Sequence, residues 1–232
     1  MSDSSLSSDK KRQRIFVDRL IEYFAHYGRS YSWRSRHDPY AILVAEMMLQ
    51  RTKSDQVVSV YQKFLKRFPD PQTLASAPKR DVQKLLEPLG LRWRATMITK
   101  MGSSLVRNFD GEIPHSREEL LTLPGVGAYA ADAVLCYAYG EKVVPVDSNV
   151  CRVLRRIFNL HSKGEARRNR IFLGKVAELP VPKRLAKEFN WGLIDFGAAI
   201  CTPRTPSCPL CPLNKICLYP NKTEVWKYDY SK

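Results

Sequence analysis

Acidic residues are scarce. The 232-residue chain sets 23 Asp and Glu against 38 Lys and Arg, a formal charge of +15. That surplus favours a polyanionic partner, nucleic acid before membrane, because each neutralised phosphate releases counterions. A plain soluble basic protein is the competing reading. Long apolar runs are missing too: none approaches the roughly 20 residues that span a bilayer, so no membrane association is expected. The first residues, Met1 to Arg14, are Ser-rich and then basic, without the apolar segment of a secretory signal. They read as a disordered basic arm able to trail along a polyanion. A disulfide framework is also lacking, since four of the six cysteines crowd between Cys201 and Cys217 while Cys136 and Cys151 lie in helical patterns. That clustering points to a metal site in a reducing compartment, cytoplasmic or, in a eukaryote, nuclear.

What is present is helical periodicity, in a chain that is 44% apolar and so able to build a core. Ile15, Phe16, Leu20, Ile21, Phe24 and Tyr27 form one amphipathic stripe ending near Gly28. Ala41 to Arg51 is apolar nearly all round, which predicts a buried helix. Val57, Val58, Tyr61, Phe64 and Leu65 mark the next, closed by Pro69 and Pro71. Short helices follow at about 72–77 and 78–87, with Pro78 in a first-turn position. Leu91 to Asn108 carries Met97, Ile98, Met101 and Leu105 on one face. Ser116 and Glu119 have capping-box spacing, and further helices are expected at about 148–159, 165–179 and 183–199. The β-branched segment Lys142 to Val146 has no partner strand and reads as extended linker. The fold expected is all-α, with about ten helices.

The organising stretch is Leu121–Asn149. Leu123-Pro124-Gly125-Val126-Gly127 forms a turn in which two glycines can take backbone angles closed to other residues. N–H groups at the helix start near Ala128 then face outward and can bind phosphate. Three further constellations carry chemistry. Cys201-x6-Cys208-x2-Cys211-x5-Cys217 places four thiols in a proline-stiffened loop of 17 residues. Packing does not explain that, and either tetrahedral zinc or a [4Fe–4S] cluster fits the donor set. Arg204, Lys215 and Lys222 place positive charge beside this loop, consistent with a structural role. Glu46 lies in the buried run, where a carboxylate is costly unless paired. It is either a core glutamate bonded internally or a catalytic group at a pocket mouth. Asp147 opens a helix as a plausible N-cap; it follows Tyr129 by 18 residues, so both are placed to border one cleft.

At these residues the chain resembles the helix-hairpin-helix DNA glycosylase superfamily of base-excision repair. LPGVGAYAADAVL followed by VPVDSNVCRVLRR is similar to its hairpin and catalytic aspartate, here Asp147. The cysteine spacing resembles the iron–sulfur branch, which contains endonuclease III, adenine glycosylases and mismatch thymine glycosylases. With Trp33-Arg34, Asp38-Pro39-Tyr40 and the Glu46 helix, the resemblance runs from about residue 15 to 218. It implies a [4Fe–4S] cluster on Cys201, Cys208, Cys211 and Cys217, with structural zinc as the alternative. It also implies DNA contacts through Arg51, Leu123, Gly125, Val126 and Gly127. Strand-cutting members carry a lysine where this chain has Tyr129, and tyrosine cannot form their imine. A monofunctional enzyme is therefore implied. Adenine glycosylases typically read Gln-Gln-Thr where this chain has Gln50-Arg51-Thr52, and they add a C-terminal domain. The thymine/uracil mismatch group is short and carries an arginine matching Arg51, so this chain resembles it more.

What the resemblance implies is a two-lobed all-α protein. Residues 33–145 would form a six-helix barrel with the helix-hairpin-helix at 116–139. Residues 15–32 plus 146–232 would form the iron–sulfur lobe, with its cluster loop at 201–217 and DNA in the cleft between lobes. The expected substrate is double-stranded DNA with a mismatched or damaged base, bound by a monomer. Thymine or uracil opposite guanine would be flipped out. Arg51 would be the wedge or else a phosphate contact. Asp147 would stabilise the oxocarbenium-like sugar and orient water, with Glu46 and Tyr129 bonding the base. In an adenine glycosylase, a protonated Glu46 would instead donate to the leaving purine. A non-catalytic binder that keeps hairpin and cluster is the alternative of another class.

Overall fold

A computed structural model describes residues 3–90, 92–160 and 164–219, side chains of residues 3–8 excepted. Leu91, Lys222 and the first two residues of the expected arm lie outside the described residues. Within them the chain is all-α, as expected, with no strand. Eleven α-helices are α1 (Asp3–Tyr27), α2 (Pro39–Leu49), α3 (Ser54–Arg67), α4 (Pro71–Ser76), α5 (Lys79–Leu86), α6 (Arg92–Phe109), α7 (Arg117–Thr122), α8 (Ala128–Tyr137), α9 (Ser148–Phe158), α10 (Arg170–Ala177) and α11 (Ala186–Ala199). None among the described residues is long and apolar enough to cross a membrane.

Several local expectations shift. Residues 3–14 belong to α1 and are not a separate arm. An ion pair one turn apart, Asp9 to Arg12 at 2.7 Å, supports that continuation. Pro78 is the N-cap of α5, outside its first turn. The helix expected at 165–179 divides into a 3-10 turn, Ala166–Arg168, and α10, because the Asn169 side chain accepts from Phe172 N–H at 2.9 Å and restarts the helix.

The chain forms two compact units, Ser30–Pro145 and Met1–Arg29 with Val146–Lys232. The first contains α2 to α8 and is built on α2, whose residues Tyr40 to Met48 are all buried. Asp38 caps α2 by accepting from Tyr40 N–H at 3.0 Å, and Pro39 occupies the first turn. Two buried phenols then tie α2 to its surroundings. Tyr40 donates to the Phe68 carbonyl at 3.1 Å and Tyr61 to the Ala41 carbonyl at 3.2 Å. Burial pushes the Tyr61 hydroxyl up to about 12, so both phenols act as neutral donors. Around this axis α3, α6 and α8 pack, and α4 and α5 cover α6.

In the second unit, α1 lies against α11. The crossing depends on Gly192, where an added Cβ would fall 2.3 Å from the Leu20 carbonyl oxygen. Phe16 packs edge-on to Phe158 and Phe189, with ring centres 5.1 and 5.9 Å apart. The buried Asp195 carboxylate accepts from Arg29 backbone N–H at 2.9 Å and from its guanidinium at 2.7 Å, closing the end of α1 onto α11. Gly192→Ala should force the two helices apart and cost about 1–3 kcal/mol, seen as a lower denaturant midpoint with an unchanged slope. A midpoint equal to wild type would show that the crossing relaxes freely.

Candidate DNA-binding and catalytic site

The hairpin begins with a cap. Ser116 Oγ accepts from Glu119 N–H at 3.1 Å and donates to the Glu119 carboxylate at 2.8 Å, so the expected pairing starts α7. Its neighbour Arg117 bonds Asp132 of α8 at 2.6 Å, tying together the two helices that flank the turn. Burial raises the Asp132 carboxyl, against the lowering effect of Arg117. Leu123 and Val126 point into the core.

The two glycines do different work. Gly125 takes φ +82°, a left-handed conformation, and its missing side chain matters: a Cβ would lie 2.7 Å from Met47 Cε and 2.8 Å from Met97 Cβ. Gly127 is extended instead, at φ −102°, so the expectation of special angles at both glycines is corrected. Its role is spatial. It is the N-cap of α8, no side chain caps it, and a Cβ there would meet nothing within 4 Å. The first turn of a helix has N–H groups without intrahelical partners. Here open space lies in front of that turn, which suits a close phosphate. Tyr129 sits half-buried in the same turn.

Glu46 is 5% exposed, in the middle of α2. Four residues on, the Gln50 side chain donates to the Gly125 carbonyl at 3.1 Å, fastening the end of α2 to the hairpin. Arg51 follows at φ +55° and is exposed. Gln50 was not singled out from sequence. The sequence shows it only as the residue before Arg51, and only the fold brings it to Gly125. Glu46, Arg51, Tyr129 and the hairpin therefore share one unit.

Asp147 and the four cysteines belong to the other unit. Asp147 is the N-cap of α9: one oxygen accepts from Val150 N–H at 2.7 Å, the other from Asn149 Nδ2 at 2.9 Å. Two donors thus fix its orientation while the residue stays half-exposed. Burial first, then the Asp147 charge, pushes the neighbouring Cys151 thiol up to about 11, which leaves it protonated and inert.

None of Cys201, Cys208, Cys211 and Cys217 is joined in a disulfide. Burial, joined by the influence of the other three cysteines, pushes Cys211 up to about 12. Among the described residues no group of three or more His, Cys, Asp or Glu is arranged to hold a metal ion. Two arginines of α9 brace the loop. Arg152 donates to the Cys201 and Gly197 carbonyls at 2.9 and 2.8 Å. Arg156, 4% exposed, donates to the Thr202 and Pro203 carbonyls at 2.7 and 2.8 Å and to Cys201 Sγ at 3.4 Å. These braces were missed from sequence because basic residues on a helix ordinarily read as solvated.

An uncapped helix start after a glycine-rich turn in the first unit has the features of a helix-hairpin-helix protein that binds nucleic acid. Residues 44–178 match the family described as HhH-GPD superfamily base excision DNA repair protein. A thymine/uracil-DNA glycosylase of Pyrobaculum aerophilum is 41% identical over 214 residues, covering 90% of this chain and 93% of its own. A thymine-DNA glycosylase of Aeropyrum pernix is 41% identical, covering 92% and 97%. The solved structure of a thermostable thymine-DNA glycosylase superposes with a TM-score of 0.87 at 32% identity, covering 91% and 98%. The chain belongs to the HhH-GPD superfamily of base-excision DNA repair proteins. Its partner is DNA.

Gly125→Ala should be costly, since it combines a disfavoured left-handed angle with contact on two methionines. A loss of about 2–4 kcal/mol and of duplex binding is expected, measured by thermal unfolding and fluorescence anisotropy. Gly127→Ala should leave stability within about 1 kcal/mol of wild type yet weaken binding to any duplex. Loss of stability at Gly127 with intact binding would contradict this division of labour.

Proposed function

We propose that the protein is a monofunctional DNA glycosylase that hydrolyses the N-glycosidic bond of thymine or uracil opposite guanine. The carrying observation is the match, along nearly the whole chain, to thymine/uracil-DNA glycosylases. The local setting of each residue, taken unit by unit, is consistent with it. A mispaired base costs least to extrude from the stack. Arg51, exposed on the turn fastened to the hairpin, fills the vacated space while the α8 start holds the backbone. Asp147 presents a fixed carboxylate to the positive charge that develops on the sugar as the bond breaks, and it orients water for attack. Thymine and uracil depart as stabilised anions. Glu46 and Tyr129 therefore serve by bonding the base and setting its pose. Tyr129 has no amine, so no imine forms with the sugar and the strand is left intact at an abasic site.

For the cysteine loop we propose a [4Fe–4S] cluster on Cys201, Cys208, Cys211 and Cys217. The donor set supports this: four cysteines, none in a disulfide, lie within one loop of 17 residues whose start is braced by Arg152 and Arg156. A cluster held by these four residues would cross-link the loop, with Arg204 and Lys215 adding positive charge beside it in the sequence. Purified protein should be brown with broad visible absorption, and Cys211→Ser should lose that absorption. Colourless protein with stoichiometric zinc would replace the cluster with a structural zinc site.

The activity is tested with G·T, G·U and 8-oxoguanine·A duplexes, each followed by alkali to cut abasic sites. Release of thymine or uracil, with cutting only after alkali, is expected. Release of adenine alone would assign the chain to the adenine glycosylases, and cutting without alkali would contradict the argument from Tyr129. Asp147→Asn should lower base release by at least about a hundredfold, as for loss of a transition-state charge partner, while binding to the duplex persists. A chain that binds but shows no base release in any form would be a non-catalytic binder.

A further inference from the structure

Arg94 has no place in the hairpin grip or in bond cleavage, yet among the described residues it heads the fully buried side chains by size, at 0% exposure. A buried guanidinium is costly unless its donors are used, and those of Arg94 converge on one turn. Its Nη2 donates to the Gln50 carbonyl and to Thr52 Oγ1, the latter at 2.9 Å. Its Nε and Nη1 have no acceptor among the described residues, so the side chain's polar work is spent on the Gln50–Thr52 turn. Between its two partners stands Arg51, at φ +55° and exposed. A non-glycine residue holds that angle only where its surroundings impose it. The surroundings are visible: Thr52 N–H donates to the Leu49 carbonyl at 3.2 Å, and Gln50 donates onward to the Gly125 carbonyl at 3.1 Å. A continuous polar path thus runs from α6 through the turn to the hairpin.

We infer that Arg94 is a positioning residue for base flipping: from inside the unit it clamps the Gln50–Thr52 turn and so presents Arg51 to the duplex in register with the hairpin. This rests on the reading of Arg51 as the wedge. Arginine suits the task because one planar group reaches a carbonyl and a hydroxyl together.

The test is a double-mutant cycle on the full-length chain. Flipping is followed by stopped-flow fluorescence of 2-aminopurine beside the uracil of a G·U duplex, and melting temperature is recorded for every variant. Arg51→Ala should slow flipping. Arg94→Met should slow it about tenfold, the factor of one charge-assisted hydrogen bond, with little further effect when Arg51 is already alanine. A merely structural arginine would lower stability and slow flipping equally in both backgrounds; that additive result would overturn the inference. Should Arg94→Met fail to fold, Thr52→Val removes one acceptor and leaves the guanidinium in place. Its smaller effect should vanish in the Arg51→Ala background, and persistence there would overturn the inference. Wild-type flipping in an Arg51→Ala chain would remove the wedge reading and this inference with it. Additivity alongside a slow Arg51→Ala chain would remove only the inference.

Discussion

The approach of Gly125 to Met47 and Met97 is the contact on which the rest of the DNA-binding apparatus depends. No side chain fits between this glycine and the two methionines, so the hairpin seats directly on α2 and α6. That seat lets Gln50 reach the Gly125 carbonyl, which fastens the Arg51 turn. It also aims the start of α8, with Tyr129 in its first turn. The hairpin is therefore a built face of a helical core. Its backbone donors are held in place by this packing, which would lower the ordering cost of the DNA contact proposed for them.

Buried charge in this protein serves mainly to hold loops. Arg94 clamps the Gln50–Thr52 turn, Arg152 and Arg156 brace the segment around Cys201, and Asp195 closes Arg29 onto α11. Buried ionic groups often add little net stability compared with apolar packing, but removing one partner leaves the other unsatisfied. Their value here is conformational: each makes at least one bond to the backbone of a segment beyond a helix end.

The two carboxylates proposed for chemistry sit in contrasting surroundings. Glu46 is buried in the middle of α2, while Asp147 is half-exposed and oriented by Val150 and Asn149. An oriented, accessible carboxylate suits a developing cation. An enclosed one suits contact with a base that has left water. Capping is compatible with the catalytic role proposed for Asp147, since Val150 and Asn149 hold its carboxylate in one orientation.

Much of this was legible in the sequence, because local physics writes it there. Apolar periodicity located the helices, Ser116 and Asp147 announced helix starts, and LPGVG marked the turn. Helix ends and joins were less legible. Residues 3–14 continue α1, and Asn169 splits a run that looked continuous, since a single side-chain bond decides each case. Gly127 proved extended because its job is to leave space, which composition does not distinguish from a left-handed angle.

By itself, the sequence determined an all-α chain with a glycine-rich hairpin, an aspartate at a helix start and four thiols in one loop. Those features depend on residue type and near neighbours. The tertiary structure alone decided that Gln50 meets Gly125, that Arg94 is wholly buried under the Arg51 turn, and that two arginines of α9 reach the cysteine loop. Those pairings join residues 42 to 75 positions apart, and no local pattern encodes which distant partner a buried polar group will find.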